Sequence, residues 1–389
     1  MMITNKKNIG LYIHIPFCER KCDYCGFLSF PMKETDRSTC IDFLLKELKQ
    51  RGNKPYIQDK TVDTVFIGGG TPSLLSGSQM DQLLTTIKES YNLAEDTEIT
   101  CEANPNSLTY DKLKDFKSSG INRLSIGIQS FNDEVLKALG RLHNSEQGIT
   151  AFKEARRAGF NNINIDIMFA LPNQDMSLWK DTLNQAVSLE PEHISFYGLQ
   201  IEENTPFYER YKNDNLNCVD DKEADMMYLT ACEALKTNGF EHYEISNAAK
   251  PGYRCRHNLK YWDMSYFAAV GPGASGYIDG FRYENPSVIK TWKDKIKNGH
   301  IADLNIKDKE NIKDAMSVFC FTSLRTSDGI DTKKFEKKFG LSIFKAFPNI
   351  ENIIYNYVNN GLLNISSDGH ITLTEEGFLK SNDFMCEFV

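Results

Sequence analysis

The chain has 389 residues, of which 41% are hydrophobic and 25% charged, with a formal net charge of −8. These are ordinary globular values, and the acidic balance excludes a molecule built as a whole to bind nucleic acid or anionic lipid. No run reaches the roughly 18 apolar residues that span a bilayer, and the polar start MMITNKKNIG lacks the apolar core of a signal peptide, so a cytoplasmic protein with no integral membrane segment is expected.

In chain order, short apolar runs alternate with amphipathic stretches over the first 240 residues. Residues 11–17, 62–67, 98–102, 123–128, 162–169 and 193–199 predict strands, each rich in Ile, Val or Phe and bounded by Gly, Pro, Asn or Ser. Residues 40–51, 80–91, 111–118, 133–140, 146–158 and 178–189 predict the helices between them, and 221–238 predicts one more. Six such alternations mean an α/β fold with a parallel sheet under helices. Cys18, Gly68, Glu102, Gln129 and Asp166 fall at or just past successive strand ends, which favours a partial (β/α)6 TIM-like barrel over an open sheet.

Past residue 240 the alternation stops. Residues 241–306 read as a connecting segment, aromatic-rich up to 285. Residues 307–389 read as a small α+β, winged-helix-like domain: helices at 312–324, 332–339 and 350–360, then a hairpin at 362–373 turning on Ser367-Asp368-Gly369. Acids outnumber bases there, unlike the basic face of a DNA reader. The run Gly271-Pro-Gly273-Ala-Ser-Gly276 matches a dinucleotide fingerprint in letters. The residues after it, Tyr277 to Tyr283, read as strand rather than helix, so a tight turn is expected.

Ten cysteines in a reducing compartment are not expected to pair. Cys40, Cys101, Cys218, Cys232, Cys255, Cys320 and Cys386 are scattered and read as small buried hydrophobes, Cys255 being a partial exception. Cys18-Glu-Arg-Lys-Cys22-Asp-Tyr-Cys25 is different. Its tight loop suits three thiolates on one cubane [4Fe–4S] cluster with the fourth iron open. The rival is zinc, which wants four ligands; no second Cys-x-x-Cys pair exists, and His14 is the one conceivable fourth ligand.

Tyr12-Ile-His-Ile-Pro-Phe-Cys18-x3-Cys22-x-Tyr24-Cys25 resembles the radical S-adenosylmethionine (SAM) superfamily. The branch it resembles holds oxygen-independent coproporphyrinogen III oxidase (HemN) and the haem chaperone HemW. The resemblance continues through Gly68-Gly69-Gly70-Thr71-Pro72, Glu102-Ala-Asn-Pro105, Gly127-Ile-Gln129-Ser-Phe131, Leu139-Gly-Arg141-x-His143, Asn164-Ile-Asp166, Leu171-Pro172 and His257-Asn258-x-x-Tyr261-Trp262.

It implies a cluster on Cys18, Cys22 and Cys25 that offers its open iron to SAM. Gly69, Gly70 and Thr71 would meet the methionine end of SAM through a turn with no Cβ in the way. Glu102 would take the ammonium and Asp166 the ribose hydroxyls. Gln129 and Arg141 match further contacts, and Tyr12 and Tyr24 flank cluster and adenine. A flavodoxin or ferredoxin is the implied electron donor.

Two activities use this scaffold: radical decarboxylation of coproporphyrinogen III, and haem binding with delivery to an acceptor apoprotein. Oxidases of this type resemble one another in a Cys-x-Cys after the loop and a longer leader. Here Phe27 holds the second position, and 17 residues precede Cys18. The HNxxYW match at residues 257–262 points to the chaperone, with His257 as haem ligand, Tyr261 and Trp262 as flat faces for the macrocycle, and Cys255 as a second potential iron ligand. Gly26, Ala170 and Ser275 depart from the acid, Gly and His that many relatives carry there.

Overall fold

The computed structural model describes residues 7–304 and 310–389. The first residues of the polar start and the expected boundary at 306/307 lie outside them.

Six parallel strands stand side by side in chain order: β1 (Asn8–Ile15), β2 (Thr61–Gly69), β3 (Leu93–Ala103), β4 (Arg123–Gln129), β5 (Ile163–Phe169) and β6 (His193–Gly198). Helices Glu34–Gly52, Gly77–Ser90, Tyr110–Ser119, Ser145–Arg157, Met176–Ser188 and Asp221–Thr237 cover the outside. Local chemistry starts several of them. Ser76 with Gln79, and Asn144 with Gln147, form reciprocal capping boxes, while Asp175 and Asp220 accept backbone N–H groups at their helix starts.

Period-two alternation decides what faces where. Leu11, Ile13, Val65, Ile67, Leu124, Ile126, Ile165, Ile194 and Phe196 join the apolar core under the helices. The intervening residues, among them Glu98, Glu102, Arg123, Ser125, Asn164, Asp166 and His193, turn into the barrel and bond one another. Glu102, Ser125, Asn164 and His193 stand in register across four strands. Asn164 donates to Ser125 Oγ at 2.7 Å and its Oδ1 lies 2.6 Å from His193 Nδ1. These inward side chains form a polar network across the lumen.

Residues 241–284 complete the same sheet. β7 (Glu241–Glu244) and β8 (Asn247–Ala249) run antiparallel beyond β6. On the other edge β9 (Phe267–Val270) lies parallel to β1, followed by antiparallel β10 (Ser275–Ile278) and β11 (Phe281–Glu284). The dinucleotide-like run is the turn between β9 and β10. Gly271 has φ +107, and a Cβ there would meet the His14 carbonyl at 2.4 Å.

Helix Arg256–Trp262 crosses the floor, where the strands begin. Glu98 of β3 accepts the N–H groups of Arg256 (3.2 Å) and His257 (3.1 Å), and Lys260 pairs with Asp63 at 2.8 Å. The C-terminal region packs helices Ile312–Ser323, Thr332–Phe339 and Ile350–Asn359 against a small sheet of Ile330–Asp331, His370–Leu373 and Leu363–Ile365. Among the described residues no helix is long and apolar enough to cross a membrane.

Candidate functional site

β1 delivers the chain to the mouth of the barrel, where Phe17–Cys18 pairs in parallel with Phe30–Pro31 and closes the base of the cysteine loop. The loop is pinned from two sides. Asp23 N–H donates to the Leu139 carbonyl (3.1 Å), the Asp23 carbonyl accepts from Phe207 N–H (3.0 Å), and its carboxylate pairs with Arg210 (2.7 Å). Cys18 is buried, Cys22 and Cys25 half-buried, and all three are free thiols. Burial pushes the Cys25 thiol above its ordinary range, and the nearby Cys22 and Cys18 sulfurs push the same way. Arg141 points its guanidinium at Cys22 Sγ, 3.4 Å away, and also donates to Asn104 Oδ1 (2.8 Å) and the Gly127 carbonyl.

Among the described residues no three such ligands converge on one point as a single ion would require. A cubane asks instead for one thiolate per iron, and three half-buried or buried thiols on one short loop beside a fixed cation fit that donor set. His14 is not free to be a fourth ligand. Its Nδ1 is 2.9 Å from Tyr12 Oη, and its Nε2 is 2.7 Å from the Leu28 carbonyl.

The glycine run follows β2. Gly69 has φ +104 and donates its N–H to Glu102 Oε2 (3.0 Å); Gly70 N–H goes to the Ile15 carbonyl (2.7 Å). A Cβ on Gly70 would come within 2.5 Å of the Phe17 carbonyl. The absence of side chains here thus lets the run press against the strand that carries Cys18, a tighter role than the open cradle expected. Thr71 Oγ1 accepts from Asn104 Nδ2 at 3.2 Å.

Two carboxylates face this region. Glu102 is pushed up to about 8 by desolvation and then by the like charge of Asp166, with Gly69 N–H and Arg123 opposing. Asp166 is raised by desolvation, against hydrogen bonds from Asn164, Ser195 and Ser125 and the charge of Arg123. Asp166 sits mid-way along β5, opposite Gly127 and Ser195, and not at a strand end as expected; the mouth of the site reaches that deep. Gln129 adopts φ +70 and its Oε1 accepts from Tyr197 Oη at 2.8 Å. Tyr24 packs beside Phe207, ring centroids 6.4 Å apart.

The structure thus gathers Cys18, Cys22, Cys25, Gly69, Gly70, Thr71, Glu102, Gln129, Arg141 and Asp166 around one mouth. A narrow cleft beside Cys22 is lined by Thr71, Asn104 and Arg141. Asn104, Ser125, Asn164 and Tyr197 brace these residues without having stood out in the sequence. Asn104 and Asn164 lie inside the family-like motifs, so their signal was present; Ser125 and Tyr197 carry none beyond strand alternation.

His257, the expected haem ligand, lies away from this mouth. It lies on the floor, 0% exposed, with Nδ1 2.8 Å from Thr64 Oγ1 and Nε2 3.0 Å from Tyr261 Oη, and it stacks on Phe66. Each ring nitrogen thus has one hydroxyl partner. Cys255 is equally buried, its thiol pushed up to about 12 by burial. Trp262 is half-buried beside Arg325 of the C-terminal region and lines a cleft with Leu259 and Lys334.

Residues 12–186 match the family model of the radical SAM superfamily, and residues 312–379 match the HemN C-terminal domain. This is a radical SAM fold, and the superfamily implies a [4Fe–4S] cluster and SAM. The coproporphyrinogen III oxidase HemN from Escherichia coli, described as a radical SAM enzyme, superposes with a TM-score of 0.84 over 98% of this chain and 90% of that one, at 21% identity. The heme chaperone HemW of Bacillus subtilis (strain 168) is 35% identical over 384 residues, 97% of this chain and 98% of that relative. That of Escherichia coli (strain K12) is 38% identical over 306 residues, 78% and 79% of the two chains. The chain belongs to the HemW family.

Proposed function

We propose that this protein binds haem and passes it to an acceptor apoprotein, using a radical SAM centre at the barrel mouth. The observation that carries the reading is Phe27. It stands two residues past the third cysteine, where oxidases of this type resemble one another in having a thiol, and its ring is 70% exposed. A phenyl ring neither ligates nor moves a proton. Relatives named heme chaperone HemW, similar over nearly the whole chain, support the same reading.

In this proposal Cys18, Cys22 and Cys25 hold the cluster, which when reduced by a flavodoxin or ferredoxin supplies one electron at low potential. Arg141 keeps a positive charge against the Cys22 sulfur, and Asn104 holds Arg141 and Thr71 in register. Glu102, once ionised, accepts the ammonium of SAM; Asp166 accepts from its ribose; Gly69, Gly70 and Thr71 shape the methionine end. Gln129, Tyr12 and Tyr24 bound the adenine side. The expected setting is the cytoplasm.

The test is anaerobic titration of the cluster-reconstituted chain with haem, followed by mixing with an apo-cytochrome. One haem per chain, leaving for the apoprotein, is the expected result; no saturable haem binding would overturn the proposal.

A further inference from the structure

Asp166 has one short hydrogen bond among the described residues, and that bond orders the protons of a chain running to the floor. Asn164 Nδ2 is 2.6 Å from Asp166 Oδ1, whereas Ser125 Oγ reaches either carboxylate oxygen only at 3.4 Å. An ionised carboxylate accepts and never donates, so the Asn164 amide turns its Nδ2 to Asp166 and its Oδ1 the other way. That Oδ1 lies 2.6 Å from His193 Nδ1 and 3.2 Å from Ser195 Oγ. His193 therefore carries its proton on Nδ1, and its Nε2 accepts from Tyr243 Oη at 2.7 Å. Tyr243 Oη in turn accepts the Cys255 N–H at 3.2 Å. Each donor and acceptor follows from the one before it, with the direction set by the carboxylate.

The surroundings keep the chain in that state. Asn164, His193 and Tyr243 are all buried, and Asn164 stands in register with His193 across β5 and β6, so the backbone fixes their spacing. Burial, and then the charge of Arg123, holds the His193 imidazole well below its ordinary range, which leaves it neutral with one donor and one acceptor nitrogen. Desolvation raises the Asp166 carboxyl, and the Asn164 bond is the strongest of the influences that bring it back down. A buried amide carbonyl that loses its shorter donor costs free energy, so removing the His193 nitrogen loosens the amide on which Asp166 depends.

We propose that His193 is a positioning residue for the ribose of SAM: its Nδ1–H fixes the Asn164 amide, and that amide holds Asp166 as an acceptor for the ribose hydroxyls. The inference rests on the assignment of Asp166 to the ribose above and extends that site towards the floor.

The experiment measures the affinity of the cluster-reconstituted full chain for SAM and for its 2′,3′-dideoxy analogue by anaerobic calorimetry, so that the ratio reports the ribose contacts alone. His193→Phe keeps a flat ring and has no donor. It is expected to lower SAM affinity about tenfold and leave that for the analogue unchanged. His193→Asn puts an amide nitrogen where Nδ1 stood and is expected to restore the wild-type ratio, although it too empties space in the core. Equal losses for both ligands, or a ratio that falls as far in His193→Asn as in His193→Phe, would reduce His193 to a structural residue and overturn the proposal. Asp166→Asn separates the two levels. A wild-type ratio in that variant removes Asp166 from the ribose and the proposal with it; a collapsed ratio there beside an unchanged one in His193→Phe sinks the proposal alone. Should His193→Phe fail to fold, Tyr243→Phe releases the Nε2 end of the imidazole, and a ratio it does not lower contradicts the proposal.

Discussion

At the barrel mouth Glu102 accepts from Gly69 N–H and stands near Asp166, a second carboxylate, which together with desolvation holds its pKa at about 8. At the floor Glu98 takes the N–H groups of Arg256 and His257 and faces the Cys255 thiol 3.7 Å away. The two residues belong to one strand and point into one lumen. They differ in what completes them: the floor is completed by its own chain, whereas the mouth is left with like charges adjacent and a cation facing sulfur. A continuous hydrogen-bond chain joins the two, from Asp166 through Asn164 and His193 to Tyr243, and on to the Cys255 N–H. Polar residues at the floor read as stability and those at the mouth as ligand sites.

The largest effect that separates the two ends is expected from Cys18→Ala. It should abolish the visible absorption of a reconstituted cluster while leaving the thermal transition of the apo chain nearly unchanged. The mirror variant, His257→Ala, should keep the cluster but lose about 3 kcal/mol in denaturant unfolding, because it strands Thr64 and Tyr261 and empties a packed site. Haem affinity read in the same variant decides its expected ligand role: a loss of affinity supports it, and an unchanged affinity removes it.

Glu102 gives a pH signature. A carboxyl whose folded pKa is raised holds its proton in the folded state between about 4.5 and 8 while the unfolded chain has lost it. The contribution to stability is therefore full below about 4.5 and is lost as pH rises towards 8. Should Glu102 take the SAM ammonium as proposed, SAM binding runs the other way, gaining up to about tenfold per pH unit until it levels near pH 8. Glu102→Gln should flatten that profile; a profile of unchanged slope would remove Glu102 from the ammonium site.

The smallest effect concerns Ala170, directly after β5. Its φ of +54 places an L-residue in the left-handed region that glycine tolerates. Ala170→Gly should leave SAM binding alone and stabilise by up to about 1 kcal/mol in the same unfolding assay.

The six strands and their helices were legible because each apolar run is closed by its own breakers. The cluster loop was legible because its three ligands lie within eight residues. The C-terminal helices and hairpin were local patterns too. What sequence could not convey is where long connections land. Nothing in residues 241–284 says that β7 and β8 extend one edge of the sheet while β9 to β11 extend the other. The same holds for His257. Nothing in the sequence says that helix Arg256–Trp262 crosses the floor and seats this imidazole over Gly10 and Thr64. The polar lumen was present as alternation inside the strands, in Arg123, Ser125 and Gly127 against Leu124, Ile126 and Ile128. It was masked by reading each run as apolar throughout.

Whether the mouth serves haem handling or decarboxylation is decided by an anaerobic assay of the reconstituted chain with SAM, reductant and coproporphyrinogen III, read by mass spectrometry. With cluster and SAM confirmed bound, haem handling predicts no decarboxylated product. Multiple turnovers would contradict it and show that Phe27 is compatible with the oxidase reaction.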